Sequence, residues 1–170
     1  MSKIIFLDTS FLLELFRVPH DSLEGHHEVA KTLMSDAFEN GYHLYCTIGV
    51  LYELANHIVD VKNYDSQRKL ATQFQEMVAL AWEKGSPFSI VPNSNSADIL
   101  AEFSSLPELC EKYKSTLRQG LSLVDCTIVE AVTKAKINYT RRRRRWNAHI
   151  WTRHGELKAL EPDNFEHSHF

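Results

Sequence analysis

The chain has 170 residues, of which 44% are hydrophobic, 11% aromatic and 24% charged. That composition excludes a disordered, collagen-like or disulfide-stapled chain, and at this length one compact domain burying roughly 70% of its unfolded surface is expected. Nineteen basic against 22 acidic residues leave −3, a total that on its face speaks against a nucleic-acid partner.

Ile4 to Leu7 is a continuous apolar run, as expected of a strand buried on both faces of a parallel sheet. Asp8, Thr9 and Ser10 are helix-capping types, and the apolar Phe11 to Phe16 follows, so the opening unit reads strand, acidic turn, helix. Val29, Ala30, Leu33, Met34, Ala37 and Phe38 recur at helical spacing until Asn40-Gly41. Tyr42 to Thr47 reads as a second strand, and Val50, Leu51, Leu54, Ala55 and Ile58 mark a helix that carries Glu53. A long amphipathic helix is expected from about 65 to 84, then a short strand over Phe88 to Val91. Asn95 or Ser96 caps a helix through Phe103, and a separate helix is expected around 108–117. Leu121 to Ala135 reads as an apolar helix bearing Asp125, and Ala148 to Thr152 as a last strand. Strands alternating with helices predict an α/β fold whose parallel sheet has helices on both faces and all strand carboxyl ends on one edge.

No apolar run approaches the length of a membrane span, and the one at the N-terminus is too short for a signal peptide. Cys46, Cys110 and Cys126 are odd in number and widely spaced, so reduced, packed thiols and a cytoplasmic location are expected.

Ligands of open parallel sheets sit beyond the strand carboxyl ends. Asp8 directly follows the first strand, Glu53 lies about two turns into the helix after the second, and Asp125 stands near the start of a helix facing the same edge. Three carboxylates converging there repel one another unless a hard cation such as Mg²⁺ or Mn²⁺ neutralises them. Each also has a plainer role: Asp8 suits a helix cap and Glu53 a solvent-facing position. Asp125, flanked by Leu121, Leu123, Val124, Ile128 and Val129, needs a partner wherever it is buried.

The stretch from Ile4 through Asp8-Thr9-Ser10 to Phe16 resembles the first motif of PIN-domain nucleases. Val50-Leu51-Tyr52-Glu53-Leu54 is similar to their second motif, and Leu121 to Ala131 around Asp125 to their third. Ile150-Trp151-Thr152-Arg153-His154 stands where the family has a strand followed by Thr-x-Asp. The closest subgroup is that of the VapC-type toxin ribonucleases. The resemblance implies a PIN-like three-layer α/β/α sandwich with a mainly parallel sheet of four to five strands. It also implies one domain over 1–160 and leaves 161–170 as a polar tail.

It further implies cleavage of RNA with Mg²⁺ or Mn²⁺ held by Asp8, Glu53 and Asp125. Thr9 or Ser10 would orient a carboxylate or water, and Thr152 would support the site. An antitoxin partner and a homodimer follow from the subgroup. His154 occupies the place of the family's fourth acid, and Glu156 is the only nearby substitute. That departure leaves open a catalytically weak RNA-binding module, and a DNA-directed nuclease of related fold stands as a further alternative.

The charge is unevenly placed. Residues 134–154 hold eight basic side chains and no acidic one, leaving 11 basic against 22 acidic elsewhere. Arg141, Arg142, Arg143, Arg144 and Arg145 with Trp146 are expected to form an RNA-binding arm beside the site, where Tyr139, Trp146 and Trp151 would stack on bases. A solvated loop or a counter-charge to acidic surface is the alternative.

Overall fold

The computed structural model describes residues 3–141 and 146–170. Four strands, β1 (Lys3–Leu7), β2 (His43–Thr47), β3 (Ser89–Val91) and β4 (Asn147–Trp151), form one all-parallel sheet in the order β3-β2-β1-β4. Seven α-helices accompany them among the described residues: α1 (Thr9–Phe16), α2 (His26–Glu39), α3 (Ile48–Val59), α4 (Tyr64–Lys84), α5 (Ser96–Thr116), α6 (Leu123–Arg141) and α7 (Gly155–Lys158). The result is the expected α/β class, a three-layer α/β/α sandwich.

β1 is central because its side chains can be apolar on both faces: Ile4, Ile5, Phe6 and Leu7 are all buried. The chain steps outward from β1 through β2 to β3, then crosses back over the sheet to β4. Right-handed crossovers therefore put α1 to α4 on one face and α5 with α6 on the other. α6 packs on β1, β2 and β4, and α5 lies outside it.

Three expectations change. The two helices anticipated around 96–103 and 108–117 are a single helix, α5, which runs through Pro107. Proline deprives the Phe103 carbonyl of its helical donor. α5 accommodates this because Leu109 is its one buried residue and its outer carbonyls can turn to water.

The C-terminal ten residues are polar in composition but are not a free tail. Glu161 Oε2 accepts from the Ile150 amide at 2.9 Å and Asp163 Oδ2 from the Ala148 amide at 2.8 Å. The Asp163 amide donates back to the Ala148 carbonyl at 3.1 Å, and Lys158 Nζ to the Ile150 carbonyl at 3.0 Å. These contacts close the outer edge of β4, and Phe170, 2% exposed, packs edge-on against Phe11. The domain thus extends through residue 170.

Finally, Trp146 and Trp151 are core residues, at 7% and 1% exposure. Trp146 packs on Tyr139 and His43, and Trp151 on Phe11, so neither presents a face for stacking on bases.

Candidate functional site

Asp8 stands where β1 ends and α1 begins, and its amide still bonds to the Trp151 carbonyl at 3.1 Å, in line with the sheet. Its side chain caps α1. Oδ2 accepts from the Ser10 amide at 3.2 Å, from Ser10 Oγ at 2.6 Å and from Thr152 Oγ1 at 2.7 Å. Three donors on one oxygen fix a carboxylate that is only 5% exposed. Both plain and functional readings of Asp8 are compatible, since Oδ1 has no hydrogen bond among the described residues. Ser10 and Thr152 therefore act as the orienting groups, and Ser10 Oγ also accepts from the Arg153 amide at 2.9 Å.

Glu53 approaches from α3. Thr9 Oγ1 donates to its Oε2 at 2.6 Å, which ties the start of α1 to α3. Asp125 comes from the first turn of α6. Ser122 and Asp125 form a reciprocal cap, with the Ser122 amide donating to Oδ2 at 2.7 Å and the Asp125 amide to Ser122 Oγ at 3.0 Å. That is the partner a buried Asp125 requires. Its signal, a serine three positions before an acid ahead of an apolar run, was present in the sequence as Ser122-Leu123-Val124-Asp125.

α3 and α6 can bring Glu53 and Asp125 to one place because Gly49 lies against Val124. A Cβ at position 49 would sit 3.2 Å from Val124 Cγ2.

Asp8, Glu53 and Asp125 line one depression of about 350 Å³, together with Asn56, His57 and Asp60. Burial pushes the Glu53 carboxyl above its ordinary range; Asp8 and Asp125 push it further, while Thr9 and His57 oppose. Burial likewise raises Asp125 and Asp8 adds to it, against the hydrogen bonds from Ser122 and the charge of His154. The Cys46 thiol is pushed far up by burial, with Asp8 contributing. Asp8 thus lies at the electrostatic centre of the group.

The donor set is all hard oxygen, which suits Mg²⁺ or Mn²⁺, and one oxygen of each carboxylate is uncommitted among the described residues. The trio is not drawn into a coordination sphere: among the described residues no group of three His, Cys, Asp or Glu stands close enough to hold a metal ion. Like charges lining one depression, with the Glu53 and Asp125 carboxyls pushed up, are what a divalent cation would relieve.

His154 turns towards this group, with Nδ1 3.5 Å from Asp125 Oδ2. Glu156 is exposed in the first turn of α7 and does not line the depression. His57, one helical turn beyond Glu53 on α3, lines the depression and bonds Asp21.

The expected arginine arm falls largely on residues whose placement is not described. Arg142, Arg143, Arg144 and Arg145 lie outside the described residues. Arg141 ends α6, which begins at the site, and Trp146 precedes β4, whose first residue pairs with Lys3 at the start of β1. Both flanks therefore belong to the amino-terminal edge of the sheet. The 16 residues from Asp125 to Arg141 span roughly 24 Å at 1.5 Å per helical residue, so the Arg141 backbone lies a full helix away from Asp125.

No protein-family model matches the chain, and no curated protein matches it.

Proposed function

We propose that this chain is a divalent-metal-dependent endoribonuclease whose ion is held by Asp8, Glu53 and Asp125. The observation that carries the reading is the meeting of these three carboxylates, from β1, α3 and α6, in one depression at the carboxyl edge of a parallel sheet. When bound, such an ion supplies Lewis-acid charge for the scissile phosphate and a nucleophile from water at neutral pH. The chain's own part is orientation. Ser10 and Thr152 point Asp8, Thr9 points Glu53, and Ser122 points Asp125. The preference for RNA rests on the motif resemblance.

Asp8→Asn keeps a capping acceptor for α1 and removes the charge. It is expected to abolish Mg²⁺- or Mn²⁺-dependent cleavage of single-stranded RNA with little change in thermal unfolding. Cleavage at the parental rate would refute the site, and single-stranded and branched DNA run in parallel would expose a DNA-directed activity.

One observation favours a second reading, a binding module of low activity. His154 stands 3.5 Å from Asp125 where an acid would complete the set. Imidazole is a poor ligand for Mg²⁺. On that reading the parent binds RNA without turnover, and His154→Asp raises cleavage from background.

A further inference from the structure

α3 presents a polar stripe to the depression: Glu53, Asn56, His57 and Asp60, one to two helical turns long. Within it Glu53 is held by Thr9, and His57 has a fixed orientation of its own. Its Nδ1 lies 2.9 Å from Asp21 Oδ2. Asp21 itself is anchored, since its carbonyl accepts from Arg153 Nη2 at 3.0 Å, and Arg153 is also held by the wholly buried Glu14.

A carboxylate only accepts hydrogen bonds, so Nδ1 carries the proton and donates. In the neutral ring this tautomer leaves Nε2 as a lone-pair acceptor. An acceptor in a carboxylate-lined depression selects a ligand group that can donate. Phosphate oxygens of a nucleic-acid strand are acceptors and cannot satisfy it. The ribose 2′-hydroxyl can, and deoxyribose has nothing in its place.

We infer that His57 is the residue that distinguishes ribose from deoxyribose in this site. Its Nε2 accepts a hydrogen bond from the 2′-hydroxyl of a nucleotide seated in the depression, and Asp21 is the positioning residue that sets the tautomer. This rests on the nuclease reading for the seating of a strand, but its test reads binding rather than turnover.

The test is fluorescence anisotropy of a labelled single-stranded oligoribonucleotide and its all-deoxy counterpart with the full chain, in Ca²⁺ at about pH 8. The parent is expected to bind the ribo strand about fivefold to tenfold more tightly, the range of one net hydrogen bond. His57→Ala lowers ribo affinity to the deoxy level and leaves deoxy affinity unchanged. His57→Gln, which restores an acceptor, recovers part of the preference, and Asp21→Ala loses part of it while the imidazole remains. Equal binding of the two strands by the parent, or an undiminished ribose preference in His57→Ala, overturns the inference. A parent that prefers ribose yet cleaves nothing would sink the nuclease reading and leave this one standing. A parent that cleaves RNA, with His57→Ala still selective, would do the reverse.

Discussion

At the scale of residues, the site is a set of acids each held in place: Asp8 by the hydroxyls of Ser10 and Thr152, Glu53 by that of Thr9, and Asp125 by the backbone amide of Ser122. The hydroxyls of Thr9, Ser10 and Thr152 cost little in the apolar surroundings because each donates to a charged acceptor. The Ser122 cap is expected to be worth about 1 kcal/mol, so Ser122→Ala lowers the unfolding free energy by that much in denaturant titration.

The raised Glu53 and Asp125 values have a stability consequence. A carboxyl whose folded pKa lies above its unfolded value keeps more protons in the folded chain. The stability it contributes is complete below the ordinary carboxylate range and is lost as pH rises through the raised value. The melting temperature of the metal-free chain should therefore carry a downward contribution from about pH 4 towards neutrality, reduced in Asp125→Asn. Mn²⁺ should raise the melting temperature at neutral pH and have little effect at about pH 4, where protonation competes for the same oxygens. A neutral-pH melting temperature indifferent to Mn²⁺ would contradict the proposed ligand set.

At the scale of elements, the decisive contact is the one between α3 and α6. Gly49 lets the two helices close to a distance at which Val124 already touches the missing Cβ position. Gly49→Val overpacks this seam and is expected to cost about 1–3 kcal/mol. It should also depress Mn²⁺ binding, because it separates the helices that carry Glu53 and Asp125. Calorimetric titration of the variant would read the second effect apart from the first.

The elements were unequally legible in the sequence. β1 announces itself because burial on both faces demands an unbroken apolar run, and Asp8 directly after it marks the edge. The continuity of α5 is hard to read because Pro107 lies inside it, and the rule that proline ends a helix yields where the affected carbonyls face water. The Ser122–Asp125 cap was readable from spacing alone. The docking of residues 161–170 was not, since Glu161 and Asp163 look like solvated acids until the amides of Ile150 and Ala148 are placed opposite them. Trp146 misled in the same way: a tryptophan beside arginines suggests stacking on bases, but the strand that follows carries it into the core.

For the whole molecule, the closing segment is structural. Phe170 fills a gap beside Phe11, and Phe170→Ala is expected to cost about 3 kcal/mol or more, read as a fall in unfolding free energy. The acids of the same segment satisfy backbone groups that would otherwise leave β4 an open edge.

The separation of charge along α6 has another consequence. Asp125 stands at one end of this helix and Lys134, Lys136 and Arg141 follow towards the other, so α6 is acidic at its start and basic at its end. On the nuclease reading, a polyanion would be drawn to the basic end first and would meet the acidic end only if it were long enough to reach across. The protein would in this sense measure its ligand. On that reading, strands shorter than the helix would give up either the basic end or the depression, and the steep salt dependence that accompanies basic contacts should appear only above that threshold length.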